Sequence, residues 1–412
     1  MRFIAINSKR INEYLIFALA VISCIAIAQG DTTLVPSIVP VLFRLLNYAI
    51  SFICLVYIIS HNNTINRYNV RRISVVLIWF LYKNLNVYAP ESNDIEFLFF
   101  ILLVVFSLQS NETITSVFQL YKKFLVLISC IGIITYFCFI LNINLPYRSD
   151  PFYDDNTSAI YINYYLSYIL YESAISIRLC GLFNEPGFFG TILGLFCIIQ
   201  KKHLFSKENI VLFVAGVLTF SLAFYAIIFI GLACSMFNSI RKTIVVTLSM
   251  ALLLGIVYYN SNENIAYFLR RFEYDKTTHS FSGSNRKSTE FEVKEREFAL
   301  GNSKMFGYGS GYLKNVDASS TYKKYIIEWG YLGFFLTYGM LILIAFKECR
   351  GKDSTIYLLC FAASIFQRPI IFTVAYFLVL FGGIQYIINS QTPPTLKTNY
   401  DRRLQSCEKR LD

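Results

Sequence analysis

The sequence predicts an all-α polytopic membrane protein with about twelve transmembrane helices. Hydrophobic residues make up 55% of the 412 positions, only 15% of the residues are charged, and the mean hydropathy is +0.50. Soluble globular proteins carry a charged fraction nearer a quarter. Apolar runs of about 17 to 25 residues, the length that crosses a bilayer, recur along the whole chain. The sequence therefore predicts a fold whose solvent is lipid.

Ten apolar segments account for the predicted helices, and two of them are too long for one crossing. The segment 210–238 divides into two short helices near Thr219 and Ser221. The segment 355–389 turns just before Pro369, because proline disfavours helix in the residue that precedes it. The ten segments are 11–29, 38–60, 73–89, 95–109, 121–142, 186–200, 210–238, 243–259, 325–346 and 355–389.

The distribution of lysine and arginine predicts the orientation, since short cytoplasmic loops collect these residues. With the N-terminus in the cytoplasm, the basic stretches all fall on one side, which predicts that both termini lie inside. The basic and apolar start of the first segment also fits a cleavable signal. The basic stretches are 2–10, 67–72, 201–207, 347–352 and 397–410.

Two long polar segments then fall on the outer side, and loops of this length usually carry function. In the second loop, Thr289 and Glu292 have capping-box spacing and Gly301 fits a helix end, so a short surface helix is expected with Phe291 and Phe298 on one face. The predicted regions are helices 1–5 (1–143), the first outer loop (144–184), helices 6–9 with the broken pair (185–259), the large outer loop (260–324), helices 10–12 (325–389) and a basic tail (390–412).

Several classes of function are disfavoured. The three histidines are dispersed, so no zinc site is expected. The acidic stretch of Asp150, Asp154 and Asp155 could hold a divalent cation, although a solvated turn is the commoner interpretation. Nucleotide-binding motifs are absent from the sequence, and the net charge of +11 is scattered rather than clustered, which disfavours nucleic acid. No cofactor, metal or disulfide framework is expected.

The first outer loop ends in a segment, 178–187, that combines an arginine with a carboxylate. Pro186 fits the first turn of the following helix, which would leave Glu185 at the positive end of the helix dipole. Arg178 and Glu185 would then form a polar site at the outer boundary of the membrane. A helix-capping glutamate with a snorkelling arginine is an equally consistent interpretation.

The second outer loop contains further candidates for binding an anion. Arg286 and Arg296 suit a phosphate, because the planar guanidinium donates hydrogen bonds in pairs. The glycine-rich run 307–312 would let backbone amides approach an anion. Each signal alone also fits an ordinary turn or a solvated charge. Their joint position on the outer face, with Arg178 and Glu185, is the stronger observation.

At these positions the chain resembles the bacterial O-antigen polymerases (Wzy type), which share their architecture with O-antigen ligases and the GT-C membrane glycosyltransferases. The resemblance covers nearly the whole chain at the level of topology. Ligases usually carry a histidine before the last long-loop helix and an arginine after the serine of the broken pair. This chain has Ser319 to Tyr322 and Leu222 there, which favours polymerase. The segments that carry the resemblance are 178–187, 219–221, 284–286, 307–311 and 328–333.

The resemblance implies transfer of a growing glycan from undecaprenyl diphosphate to the terminal sugar hydroxyl of a second lipid-linked repeat unit, at the periplasmic face of the bacterial inner membrane. Arginines would neutralise the leaving diphosphate and Glu185 would orient or deprotonate the hydroxyl. The candidates are Arg178 and Arg286 first, then Arg296 and Arg368, for the diphosphate, and Tyr308, Tyr312 and Tyr322 for sugar rings.

The implied partners are the undecaprenyl-diphosphate-linked oligosaccharide, membrane lipid and a chain-length regulator protein. Two alternatives stay open. The chain could be a ligase or oligosaccharyltransferase, or, in a different class, a flippase for lipid-linked oligosaccharides. Transporters of that kind usually have short loops and place charges at the bilayer midplane.

Overall fold

The fold consists mostly of helices. The computed structural model describes residues 2–24, 38–60, 65–88, 93–151, 159–172, 176–199, 206–236, 274–275, 280–281, 289–314, 316 and 322–391. Its helices are α1 Arg2–Ile22, α2 Ile38–Ser60, α3 Arg67–Leu85, α4 Asn93–Ser107, α5 Asn111–Ile140, α6 Pro186–Ile199, α7 Lys207–Leu218, α8 Leu222–Met236, α9 Thr289–Leu300, α10 Tyr322–Glu348, α11 Lys352–Ile365 and α12 Val374–Gln391.

Four of the described helices are long and apolar enough to cross a membrane, namely α5, α10, α12 and the part of α2 from Val41 to Ser60. At 1.5 Å per residue, the 30 residues of α5 extend about 45 Å, more than the hydrocarbon core of about 30 Å. The fold is therefore consistent with a membrane protein. The count of about twelve crossings stays a prediction, and the predicted span 243–259 lies outside the described residues.

The outer surface of α2 is strongly apolar. Phe52 is 69% exposed and Ile59 is 73% exposed, and Leu45 on the same helix is also exposed. Soluble monomers rarely expose contiguous apolar surface of this kind, whereas lipid tails solvate it without cost. This surface supports a membrane environment for the helices.

Local sequence signals located several helix boundaries correctly. The broken pair is confirmed, because α7 ends at Leu218 and α8 begins at Leu222. The turn near Pro369 is also confirmed, since it lies between α11 and α12. In the second loop, α9 forms as predicted, and Phe291 and Phe298 are both buried in one cluster with Ile327 of α10.

The prediction of a purely α-helical fold was wrong for the first long loop, 144–184. This loop folds into a four-stranded antiparallel sheet in the order β1-β2-β3-β4. Its strands are rich in isoleucine and tyrosine, which favour a pleated and partly buried surface. Cross-strand pairs such as Ile162 with Ile169 align the middle strands. The strands are β1 Arg148–Pro151, β2 Ala159–Asn163, β3 Tyr168–Glu172 and β4 Ser176–Gly181, and the second loop adds the short pair β5 Tyr274–Asp275 and β6 Ser280–Phe281.

Strand β4 docks onto the membrane helices. The Tyr136 hydroxyl on α5 donates a hydrogen bond of 3.2 Å to the carbonyl oxygen of Ile177. Leu179 packs directly on Gly132 of α5, where the missing side chain leaves room for it. The sheet is therefore fixed to the helices, and β4 carries Arg178 into the interior.

The glycine-rich run 307–312 of the second loop forms a structural clamp between the end of α3 and α10. The amides of Tyr308 and Gly309 donate to the carbonyl oxygens of Ile327 and Glu328 at 3.0 and 2.7 Å, and the amide of Ser310 donates to Asn86 at 2.7 Å. These amides, expected to approach an anion, instead join the end of α3 to α10. Helix α10 bends there, because Gly330 has a φ of 69°.

The opposite end of α3 and α10 contains a buried ion pair. Arg72 and Glu348 are both almost completely buried, and Arg72 donates to the two carboxylate oxygens at 2.9 and 2.5 Å. The prediction placed Arg72 among the basic loop residues, and this was wrong. Its charge is compensated inside the helices by Glu348, with further hydrogen bonds from Arg72 to Asn111 and from Gln385 to Glu348.

Candidate functional site

The candidate site lies where the first loop leads into α6. After β4 the chain turns at Gly181, whose φ is 60°. The ring of Phe183 then stacks on that of Phe189 at 4.9 Å. Tyr161 of β2 donates to the backbone oxygen of Asn184. Contacts on both sides thus fix the position of the next residue, Glu185, directly before the first residue of α6.

Glu185 forms an ion pair with Arg368 from the turn between α11 and α12. Arg368 is only 6% exposed, whereas the Glu185 side chain is 37% exposed. The guanidinium lies directly over Gly187, where a Cβ atom would overlap it. A larger residue at this position would displace the guanidinium from the start of α6.

Arg178 is 5% exposed and points into the protein. Its Nε donates to the carbonyl oxygen of Thr219 at 3.2 Å, and Nη2 donates to that of Phe220 at 3.5 Å. Phe220 has a φ of 47°, a backbone conformation that bulky residues rarely adopt. Arg178 thus stabilises the strained break between α7 and α8 from inside the protein.

The break between α7 and α8 lies directly against the first turns of α6. The Ser221 hydroxyl donates to the carbonyl oxygen of Gly187 at 3.5 Å. A Cβ atom at Gly190 would lie only 2.6 Å from Ser221 Cβ and from Thr219 Oγ1. Since Gly187 also contacts Arg368, the break that Arg178 holds and the Arg368 guanidinium meet at Gly187.

The start of α12 completes the site. The ring of Tyr376 stacks on that of Phe188 in the first turn of α6, with centroids 5.2 Å apart and planes 11° apart. Helices α6, α8 and α12 therefore all begin beside one another. A helix N-terminus carries a partial positive charge. Together with Arg178 and Arg368, these helix starts form a positively charged interior that suits an anion.

Helix α10 also contacts the turn that carries Arg368. In α10 the backbone adopts a π-helical turn from Phe335 to Gly339, and such turns often occur at functional sites. This turn contains Tyr338, whose hydroxyl donates to the carbonyl oxygen of Pro369 at 2.7 Å. The position of Arg368 is therefore coupled to α10.

The other predicted site residues are distributed differently. Arg286 lies outside the described residues. Arg296 is exposed on α9. The rings of Tyr308 and Tyr312 contact each other at 4.6 Å, and Lys294 lies 5.4 Å from the Tyr312 ring. Hydrogen bonds with Glu297 and then Tyr312 raise the pKa of Lys294 to about 12.

Tyr308 and Tyr312 thus belong to the clamp and pack against α9. Tyr322 differs from them, because its ring contacts Phe366, two positions before Arg368, at 5.3 Å. Binding of sugar rings by these three tyrosines stays a prediction.

Sequence reasoning missed Tyr376 and Tyr338. Both belong to apolar helices in a chain with 30 tyrosines, so neither stood out. The available signal was position: Tyr376 comes one turn into the helix that follows the Arg368–Pro369 pair. Gly187 and Gly190, spaced at the start of a predicted helix, were a second signal, because small residues there permit close approach of other segments.

Comparison with protein-family models, characterised proteins and solved structures finds no match to this chain.

Proposed function

We propose that the chain is a glycan polymerase that transfers a growing glycan from undecaprenyl diphosphate to the terminal sugar hydroxyl of another lipid-linked repeat unit. One observation carries the proposal: the buried Arg368 pairs with Glu185 at the start of α6, next to the helix break that the buried Arg178 holds. The positive groups suit a diphosphate, and the carboxylate suits a hydroxyl that must lose its proton. The resemblance to O-antigen polymerases supports the same substrate.

The proposed reaction needs few chemical groups. The bond between the sugar C1 and the diphosphate oxygen breaks, and a bond from C1 to the acceptor oxygen forms. Both bonding electrons leave with the diphosphate, whose added negative charge Arg368 and the helix starts would stabilise. The acceptor proton passes to the carboxylate of Glu185. Arg178 would act close by, through its hold on the break between α7 and α8.

The ion pair between Glu185 and Arg368 has a consequence for the order of events. While Glu185 is paired with Arg368, its carboxylate is held by the guanidinium and is not available to the acceptor hydroxyl. A diphosphate that binds Arg368 competes with Glu185 for the guanidinium. Arrival of the donor would then release Glu185 to act on the acceptor hydroxyl.

A flippase for lipid-linked oligosaccharides is the second candidate, and it has an observation in its favour. Broken helices whose ends meet at an interior anion site are also typical of transporters. The pairing of a carboxylate with the arginines favours the polymerase, since transport of the diphosphate does not require a proton acceptor. A ligase is less favoured because Leu222 occupies the place of the ligase arginine.

Deletion of the gene separates these candidates when the surface glycan is resolved by length on a gel. A polymerase deletion leaves a single repeat unit on the lipid core. A ligase deletion removes all repeats and leaves polymer on the carrier lipid, and a flippase deletion traps lipid-linked intermediates on the inner face. Complementation with the wild-type gene and with Arg368→Ala then links the phenotype to the site: only the wild type should restore long chains.

A further inference from the structure

Tyr376 carries a buried hydroxyl group that the fold itself does not use. The residue is 2% exposed, and within the described part of the chain its hydroxyl oxygen has no hydrogen-bond partner. Burying a hydroxyl without a partner is unfavourable, and such groups in folded proteins usually have a functional reason. Phenylalanine would fill the same space without this cost.

The position of Tyr376 is set by its ring and its backbone. The ring stacks on Phe188 and meets Phe361 edge-on, with centroids 6.2 Å apart. Its amide donates to the N-cap residue Thr373 at 3.4 Å. These contacts fix the direction of the phenol, so the hydroxyl cannot turn away to find a partner elsewhere.

The surroundings of the hydroxyl include the candidate site. Arg368 and Glu185 are both close enough for their charges to act on it. Tyr376 lies in the first turn of α12, and Phe188, on which it stacks, lies in the first turn of α6. The hydroxyl therefore lies at the meeting point of two helix starts and the Glu185–Arg368 pair, where the proposed function requires the donor diphosphate.

We infer that Tyr376 is a further substrate-contacting residue, whose hydroxyl donates a hydrogen bond to a diphosphate oxygen of the lipid-linked donor. The inference rests on the proposed function. Arg368 supplies charge, while the phenol supplies a neutral donor of fixed direction from the first turn of α12. The unpaired hydroxyl destabilises the protein without ligand, and a hydrogen bond to the bound diphosphate removes this destabilisation.

Tyr376→Phe tests this inference in purified protein in lipid nanodiscs, titrated with undecaprenyl diphosphate. The variant keeps both ring contacts and should melt at or slightly above the wild-type temperature without ligand. Its affinity for undecaprenyl diphosphate should fall roughly tenfold or more, since hydrogen bonds to charged groups are among the stronger ones. Its affinity for undecaprenol, which has no phosphate, should not change.

Tyr357→Phe is the matched control, because Tyr357 is equally buried but its hydroxyl donates to the carbonyl oxygen of Val379 at 2.5 Å. This variant should lose thermal stability and keep its affinity for undecaprenyl diphosphate. Equal affinity of Tyr376→Phe and the wild type, as expected if the hydroxyl only holds a water, would overturn the inference and leave the proposed function intact. A lower melting temperature for ligand-free Tyr376→Phe would also overturn it. A wild type that does not bind undecaprenyl diphosphate would overturn the proposed function and the inference with it.

Discussion

Replacing Glu185 with glutamine should separate donor binding from catalysis. The change keeps the size of the side chain and removes the charge that neutralises Arg368. If the donor diphosphate must displace Glu185 from Arg368, the variant should bind the donor more tightly. If Glu185 accepts the proton of the acceptor hydroxyl, the same variant should polymerise more slowly. Tighter binding combined with slower turnover is a signature that simple loss of structure does not produce.

The size of the gain in affinity follows from the burial of the two partners. Arg368 is almost fully buried, which strengthens the ion pair, but the Glu185 side chain is 37% exposed, so solvent screens it. The free energy of the Glu185–Arg368 ion pair should lie between that of an exposed ion pair and that of a buried hydrogen bond to a charged group, which is about 1–2 kcal/mol. Donor affinity should therefore rise about fivefold to thirtyfold. Loss of a positioned general base should lower the rate about a hundredfold or more.

Two measurements check this prediction. Titration calorimetry with undecaprenyl diphosphate gives the affinity, and single-turnover assays with lipid-linked repeat units give the rate. Glu112→Gln is the control. Glu112, in the first turn of α5, forms an ion pair of 3.0 Å with Lys9 of α1, and both side chains are exposed. That variant should match the wild type in both assays. Unchanged or weaker donor affinity in Glu185→Gln would refute the competition, and an unchanged rate would reassign Glu185 to a structural role at the start of α6.

The remaining predictions concern three other contacts. Arg178→Lys should shorten the glycan on a gel by slowing extension at least about tenfold, because a single ammonium does not reproduce the geometry of the guanidinium; chains of normal length would remove Arg178 from the site. Gly187→Ala should abolish extension by displacing the Arg368 guanidinium, while the free energy of unfolding changes by no more than about 1 kcal/mol, since alanine favours helix. Chains of wild-type length in Gly187→Ala would contradict the clash. Arg72→Ala should cost about 3–5 kcal/mol of stability by leaving Glu348 buried without its partner. The double variant Arg72→Met, Glu348→Leu should recover most of this loss in thermal unfolding, and a double variant as unstable as the single one would refute the explanation.

Local signals in the sequence determined the parts of the fold that depend on a few neighbouring residues. Pro186 begins α6, the turn before Pro369 separates two helices, and α9 runs from Thr289 to Leu300, directly before Gly301. These features depend on backbone preferences of single residues and their neighbours, which can be read from the sequence alone.

Features that depend on contacts between distant segments could not be predicted in this way. The sheet of the first loop was not predicted, because its strands are short and interrupted by polar residues. Arg72 was placed in a loop because its partner, Glu348, lies in a helix far along the chain. Arg368 and Glu185 were both candidates, but only the fold shows that they pair over Gly187.

Polymerisation by the purified protein is the measurement that tests the central claim most directly. Lipid-linked repeat units extracted from the deletion strain would be incubated with the protein in liposomes, and the products analysed by mass spectrometry. The proposed function predicts a ladder of lipid-linked oligomers and one undecaprenyl diphosphate released for each bond formed. Repeat units that stay single, or that only move between the two leaflets, would contradict it.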